Sequence, residues 1–148
     1  MKYKWMLSVV LSVVMFSANA QFRKIPPEVT DSFRARFDKA TQVSWTDNLI
    51  NFQATFKLGN DNVRAFYNSK GELLRSEKNV TFEELPLNVK DGFKKSKYAD
   101  WTVKDIRYVE DKDRQIQYRL QVVKNTDIIR KNLVFSTSGQ LLDDTITL

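Results

Sequence analysis

The sequence repeats itself, and this internal repeat is the feature that most constrains the fold. The first half carries Ile25, Pro26, Val29 and Phe33, and the second half carries Leu85, Pro86, Val89 and Phe93 at the same spacing. Gly71-Glu72-Leu73-Leu74 recurs in the same way as Gly139-Gln140-Leu141-Leu142, with an aromatic residue shortly before each glycine. A chain built from two copies of one supersecondary unit is expected to fold as two similar halves packed side by side.

Each half begins with a helical pattern. The apolar residues that fall on one helical stripe are Val29, Phe33 and Phe37 in the first half and Leu85, Val89 and Phe93 in the second. Thr81 and Glu84 form a capping box ahead of the second stripe, which places a helix start there. Pro86 lies inside that stripe and predicts either a slight distortion or a later start, because proline removes a helical hydrogen bond.

Alternating apolar and polar residues follow each helix. The apolar positions that share one face are Ile50, Phe52, Ala54, Phe56 and Leu58, and then Ile116, Tyr118, Leu120 and Val122. This pattern is typical of antiparallel strands with one dry and one wet face. It predicts strands over 42–47, 50–58, 62–68 and 72–77, and over 103–110, 114–124, 127–136 and 140–147. The predicted fold is α+β, with two tandem repeats, each one helix packed on a four-stranded antiparallel sheet.

The first 20 residues read as a secretory signal peptide. Lys2 and Lys4 precede an apolar run, and Ala18-Asn19-Ala20 offers small residues at the cleavage positions. The alternative, a membrane anchor, is disfavoured because the run is too short to cross a hydrocarbon layer of ~30 Å. We therefore expect cleavage after Ala20 and a periplasmic or secreted protein without stable membrane insertion. The chain has no cysteine, which excludes a lipid anchor and disulfides.

The mature chain, residues 21–148, is predicted to form a single domain of two repeats, about 23–78 and 79–148. The net charge of +6 is spread along the whole sequence and is not concentrated in one basic segment. Such a mild, scattered excess does not indicate nucleic-acid binding. We expect an exported monomer that keeps its polar sheet face open to water.

Several short motifs resemble those of the PepSY-like, beta-lactamase-inhibitor-like family of small exported proteins from Gram-negative envelopes. They are Phe37-x-x-Ala40-x-x-Val43-x-Trp45, Phe52-x-Ala54-x-Phe56, Ala65-Phe66-Tyr67-Asn68-x-x-Gly71 and Glu84-Leu85-Pro86. The resemblance covers nearly all of residues 23–148. It implies the tandem-repeat fold of beta-lactamase inhibitory protein, an envelope location and a binding role. It does not imply that this chain inhibits a beta-lactamase.

The polar sheet face is the candidate binding surface. Its predicted members are Gln53, Thr55, Arg64, Phe66, Gln117, Arg119, Gln121, Arg130 and Val134. A sheet face that mixes arginine, amides and an aromatic can bury the loops of a protein partner. The alternative is a solvated outer face with a few apolar residues. Phe66 is the most diagnostic position, since burial of its ring weakens the case.

Other features have a structural interpretation that we favour over a functional one. Trp45 and Trp101 either seal the two helices against the sheet or act as exposed stacking anchors. The charged segment 110–114 is read as a hairpin tip, because a calcium loop needs more oxygen ligands and a glycine. Asp143 and Asp144 are neighbours on a strand and point to opposite faces. Lys94, Lys95 and Lys97 suit a solvated helix end, with a phosphate or lipopolysaccharide contact as the alternative.

The absence of histidine and cysteine excludes whole classes of chemistry. Triads, thiolate nucleophiles and His- or Cys-ligated metal sites are impossible, and we expect no cofactor, no metal and no catalytic residue. The first hypothesis is a non-enzymatic binding module that recognises an envelope or extracellular protein through the polar sheet face. The second is a carrier or sensor of a small apolar or anionic ligand, which requires a cavity. A hydrolase based on two carboxylates is the least favoured, because the repeat places no carboxylate pair together.

Overall fold

The computed structural model of the protein describes residues 24–124 and 129–147. The predicted signal peptide, residues 1–20, lies outside this part of the chain. The described residues include no helix that is both long and apolar enough to cross a membrane.

Two helices and eight strands follow one another in the order that the repeat predicts. The helices are α1 (Pro27–Arg36) and α2 (Leu87–Lys95). The strands of the first half are β1 (Thr41–Asp47), β2 (Phe52–Leu58), β3 (Asp61–Tyr67) and β4 (Leu73–Asn79). Those of the second half are β5 (Thr102–Asp111), β6 (Ile116–Val123), β7 (Arg130–Ser136) and β8 (Leu141–Thr147).

All eight strands form one antiparallel sheet in which they lie in sequence order from β1 to β8. The two halves are joined by direct pairing of β4 with β5, where Ser76 lies opposite Glu110 and Glu77 lies opposite Val109. The α+β fold class, the open sheet and the antiparallel order are therefore confirmed. The two predicted four-strand sheets are one continuous sheet.

Both helices pack on the same side of the sheet and make two separate cores. In the first core, Val29 and Phe33 of α1 pack on β2 and β3 residues that include Phe56 and Tyr67. In the second core, α2 packs on Leu120 and other apolar residues of β5, β6 and β7. The helices thus cover the predicted apolar face of the sheet and leave the other face bare.

The two tryptophans have the structural role. Trp45 is partly buried and meets Phe33 of α1 edge-on, with ring centroids 5.3 Å apart. Trp101 is also partly buried and meets Tyr98 edge-on, with centroids 5.1 Å apart. Each indole therefore extends the aromatic core beside its helix.

Helix α2 starts later than the capping box suggests. Thr81 donates hydrogen bonds to Oε2 of Glu84 from its backbone nitrogen, at 2.6 Å, and from Oγ1, at 2.9 Å. These bonds close a turn, and the helix begins only at Leu87, directly after Pro86. The later of the two predicted starts is the one observed, because proline is compatible with the first turn of a helix and not with its interior.

The assignment of Ile50 to the apolar strand face was wrong. β2 begins at Phe52, and Ile50 lies in the β1–β2 turn with 86% of its surface exposed. The backbone nitrogen of Asn48 donates to the carbonyl of Asn51 at 2.9 Å, which closes the turn before the strand begins. Leu58, at the far end of β2, is also exposed. The remaining strand predictions differ from the structure only by a few residues at their ends.

The recurring glycines are explained by close contact between a hairpin and a helix. Gly71 and Gly139 both have positive φ angles, +80° and +85°. A Cβ atom on Gly139 would lie 2.0 Å from the carbonyl oxygen of Asn88 in α2, and one on Gly71 would lie 2.4 Å from that of Glu28 in α1. A Cβ atom on Gly92 of α2 would likewise lie 2.0 Å from the carbonyl oxygen of Gly139. The same hairpin-to-helix contact therefore recurs in both halves.

The acidic pair on the last strand is divided between the two faces, as predicted. Asp143 lies opposite Val134, and Asp144 lies opposite Leu133 on the helix side. Asp144 accepts a hydrogen bond from the Tyr98 hydroxyl and pairs with Lys97 at 2.9 Å. At the other edge of the sheet, β1 carries a bulge between Thr41 and Ser44.

Replacement of Gly139 by alanine should destabilise the protein strongly. The positive φ alone costs about 1–2 kcal/mol for a residue with a Cβ, and overpacking against the Asn88 carbonyl adds about 1–3 kcal/mol. Gly59→Ala is the matched control, because Gly59 has a φ of +62° and nothing within 4 Å of a built Cβ. Urea unfolding should show a clearly larger loss for Gly139→Ala, and equal losses would contradict the contact argument.

The Asp144 cluster should make stability depend on pH in the acid range. The hydrogen bonds from Tyr98 and Lys97 lower the pKa of Asp144 from its ordinary 3.8 to about 2. Because the folded-state pKa is depressed, the stabilisation is present above about pH 4 and is lost as the pH falls toward 2. We expect the difference in urea midpoint between the wild type and Asp144→Asn to shrink over that window. The control is Asp143→Asn, whose side chain lies on the other face.

Candidate functional site

The helix-free side of the sheet, called the open face here, carries every residue of the predicted binding surface. In the first half Gln53 lies opposite Phe66 and Thr55 opposite Arg64. In the second half the members are Gln117, Arg119, Gln121, Arg130 and Val134, placed on one side by the register of β6 with β7. The β4–β5 pairing makes the two sets parts of one continuous surface.

Phe66 is buried and is not an exposed anchor. Only 7% of its surface is accessible, although it belongs to neither core. The guanidinium carbon of Arg75 lies 3.8 Å from the ring centroid and covers the aromatic face. The Phe66 ring is therefore packed under the Arg75 side chain on the open face. Its burial weakens the case for Phe66 as a partner contact.

A buried carboxylate lies at the centre of the open face. Glu77 on β4 is 3% exposed. Its carboxylate receives Arg75 Nε at 2.6 Å, Arg64 Nη2 at 3.4 Å and Arg107 Nη1 at 3.8 Å. Charge-assisted bonds of this kind are short and strongly oriented. Glu77 thus orients Arg75 by a short bond and attracts Arg64 and Arg107 as longer ion pairs across the junction of the two repeats.

The arginine cluster extends into the second half through a chain of polar contacts. Arg64 donates to the side-chain oxygen of Asn79 at 3.5 Å, and Asn79 donates to Asp105 at 3.4 Å. Asp105 in turn accepts a bond from Arg107 Nε at 2.8 Å. Three arginines against two carboxylates leave the centre of the open face with a positive excess.

The second half of the open face is concave. A depression of about 490 Å³ lies over β5 to β8. Its lining residues, which carry both donors and acceptors, are Asp105, Arg107, Arg119, Gln121, Asn132, Val134, Asp143, Thr145 and Thr147. Of the predicted residues only Arg119, Gln121 and Val134 line this depression. Gln53, Thr55, Arg64 and Phe66 lie in the other half, and Gln117 and Arg130 lie outside the lining.

The β1–β2 turn presents two exposed apolar side chains beside the open face. Leu49 and Ile50 are 81% and 86% exposed, and Leu49 has a φ of +68°, an unfavourable conformation for a residue with a Cβ. The turn is held by a bond from the Leu49 nitrogen to Asp47 Oδ1 at 2.9 Å. Asn48 also donates to Gln53 of the open face at 3.4 Å. The turn therefore keeps two apolar groups in water on a fixed backbone.

Sequence reasoning missed the residues of β4, β5 and β8 on the open face. Arg75, Glu77, Asp105 and Arg107 alternate with inward residues, so the period-2 rule could have placed them once β4 was paired with β5. The bulges in the β3–β4, β5–β6 and β7–β8 pairings interrupt that alternation. Each bulge shifts the register by one residue and hides the pattern.

A second concavity lies on the helix side. It is a cleft of about 440 Å³ above the central strands β4 and β5, bordered by Phe37 at the end of α1 and by Val80 and Glu84 in the turn before α2. Ser76 and Lys78 from β4 and Tyr108 and Glu110 from β5 contribute to its lining. We call it the interhelical cleft. Nothing in the sequence pattern predicted it, because its lining residues come from strands and turns of both halves that are distant in the sequence.

Residues 24–124 and 129–147 contain no group of three acidic side chains arranged to hold a metal ion. In the charged segment 110–114, Glu110 and Asp111 are the last residues of β5, and the residues after them form a turn. Glu110 pairs with Arg36 at 2.7 Å, whereas Asp111 accepts the backbone nitrogens of Asp113 and Gln115 at 2.9 Å each. These contacts are those of a hairpin turn.

Comparison with known proteins identifies the fold. The chain matches no protein-family model and no curated protein sequence. It is similar to the crystal structure of a BLIP-like protein from Bacteroides fragilis NCTC 9343, with 20% identity, a TM-score of 0.76 and coverage of 84% of this chain and 89% of that one.

Two further solved structures show the same similarity. A DUF2874 family protein from Bacteroides ovatus ATCC 8483 is 23% identical, with a TM-score of 0.77 and coverage of 83% and 89% of the two chains. A protein from Bacteroides eggerthii DSM 20697, described as "putative periplasmic", is 19% identical, with a TM-score of 0.76 and the same coverage. The chain therefore has the beta-lactamase-inhibitor-like fold that its motifs resemble.

Removal of the Glu77 charge should destabilise the fold. In Glu77→Gln, three arginines would face one another around a neutral amide, and we expect a loss of about 2 kcal/mol, below the value for a fully buried pair because the arginines are partly exposed. The control is Asp113→Asn at the exposed β5–β6 turn, which should stay within about 0.5 kcal/mol of the wild type. Thermal or urea unfolding measures both. A Glu77→Gln variant as stable as the control would show that the cluster contributes nothing.

Proposed function

We infer that this protein is a non-enzymatic binding module that works outside the cytoplasm and recognises a protein partner through its open face. The observation that carries this proposal is the fixed arrangement of charged and amide groups across a helix-free sheet surface with a concave second half. Side chains that are already oriented lose little conformational freedom on binding, which favours affinity.

The chemistry of the open face supports a protein surface as the partner. Arginine is enriched at the centres of protein interfaces, and the depression offers Arg119, Gln121 and Asn132 together with the aliphatic side chain of Val134. The exposed pair Leu49 and Ile50 adds an apolar element at the edge of the same surface. A mixture of polar and apolar groups is the usual composition of an interface that forms between independently folded proteins.

The proposed location rests on two independent observations. Residues 1–20 have the composition of a secretory signal peptide, and one protein of the same fold is described as "putative periplasmic". A binding role without catalysis accords with the lack of histidine and cysteine and with the known BLIP-like neighbour.

The proposal is tested with one charge reversal on each side of the sheet. The protein is immobilised and used to capture partners from an envelope extract of its native host, and a captured partner is purified and titrated against variants by calorimetry. Arg119→Glu in the concave face should weaken binding at least about 30-fold, the effect of one central interface residue. Leu49→Ser with Ile50→Ser should weaken it by about tenfold.

Lys95→Glu at the end of α2 is the matched control, since it reverses one exposed charge on the helix side. It should bind like the wild type. Equal affinity of Arg119→Glu and wild type would overturn the assignment of the open face. This comparison requires that Arg119→Glu and Lys95→Glu both unfold at the wild-type urea midpoint.

A further inference from the structure

We propose that the interhelical cleft binds a small organic cation, namely a protonated amine carried on an apolar or aromatic body. This site lies on the opposite side of the sheet from the open face and is independent of the function proposed above. Its volume, about 440 Å³, falls within the range of small-molecule sites.

The floor of the cleft is set by the register of four central strands. Val63, Lys78, Tyr108 and Tyr118 lie opposite one another in a row across β3, β4, β5 and β6. All four line the cleft. Since Val63 belongs to the first core, the row is on the helix side, and the cleft separates the two cores.

Apolar and aromatic groups provide room for the body of the ligand. The Tyr108 and Tyr118 rings meet edge-on with centroids 5.8 Å apart. Phe37 and Leu58 border the cleft from the first half, and Val80 borders it from the second. Aromatic faces attract cations through the ring quadrupole, and the attraction grows when the cation is removed from water.

The charged groups of the cleft are mostly acidic. Asp61, Glu84 and Glu110 line it together with one ammonium group, that of Lys78. Glu77 also borders the cleft, but its carboxylate is held by the arginines of the open face. Lys78 is already paired with Asp61 at 2.7 Å. An anionic ligand would therefore meet several carboxylates and no unpaired cation from the lining.

Two of the carboxylates keep an oxygen for a ligand. Both hydrogen bonds from Thr81 go to Oε2 of Glu84, and they lower its pKa, so that this carboxylate stays ionised. Glu110 receives Arg36 on Oε1 at 2.7 Å, while from residues 24–124 and 129–147 its Oε2 has only a 3.5 Å contact, with the Tyr108 hydroxyl. Glu84 Oε1 and Glu110 Oε2 are thus the carboxylate oxygens through which the cleft would accept hydrogen bonds from the ammonium group of a ligand.

The test uses three probes that differ only in their head group: 3-phenylpropylammonium, 3-phenylpropanol and 3-phenylpropionate. Ligands of this size bind at millimolar concentrations, so NMR titrations of the ¹⁵N-labelled protein run to about 10 mM. We expect the ammonium probe to shift the amide signals of Lys78 and Tyr108 with saturation. The alcohol and the carboxylate should bind at least tenfold more weakly.

Substitutions assign the charge effect to the cleft. Glu84→Gln keeps an acceptor for Thr81 and should weaken the ammonium probe about fivefold. Asp61→Asn releases the Lys78 ammonium and should weaken it at least as much. Asp113→Asn removes the same charge from the exposed β5–β6 turn, outside the lining of the cleft, and should leave binding unchanged.

Four outcomes would overturn the proposal of a cation site in the interhelical cleft. These outcomes are a lack of saturable shifts with the ammonium probe, equal binding of the carboxylate, shifts confined to the open face, and equal affinity of Asp113→Asn and Glu84→Gln. The Arg119→Glu variant of the open face should bind the ammonium probe like the wild type, so failure at one site is distinguishable from failure at the other.

Discussion

The pairing of β4 with β5 is the contact on which the rest of the structure depends. It joins the two repeats through main-chain hydrogen bonds and makes one sheet from two. Both candidate sites follow from this junction. On one side Glu77 gathers arginines from β3, β4 and β5, and on the other side residues of β4 and β5 line the interhelical cleft.

The two sides of this junction carry opposite charge. The open face holds arginines fixed around Glu77 and Asp105, whereas the cleft is lined by more carboxylates than ammonium groups. The separation follows from strand geometry, because successive side chains point to opposite faces. Arg75 and Glu77 thus belong to one surface while Ser76 and Lys78 belong to the other.

The fold was predictable from the sequence to a large extent, and the sites were predictable only in part. The repeat and the alternation in β2 and β6 are long, regular patterns, and they placed helices, strands and the bare face correctly. Ile50 was misplaced because alternation alone does not reveal where a turn interrupts a strand. The burial of Phe66 depends on Arg75, a residue of the neighbouring strand. The cleft is lined by residues of both halves, which no local pattern brings together.

The two edge strands of the sheet, β1 and β8, affect whether the protein polymerises at high concentration. An open sheet offers two unpaired edges that could template the addition of further chains. Here the bulge between Thr41 and Ser44 distorts one edge, and Asp143 places a negative charge on the open-face side of the other. A second molecule that paired its β8 antiparallel to this one with the two Asp143 residues opposite each other would bring like charges together. The edges of the sheet therefore disfavour polymerisation by strand pairing, while the open face stays free for a partner.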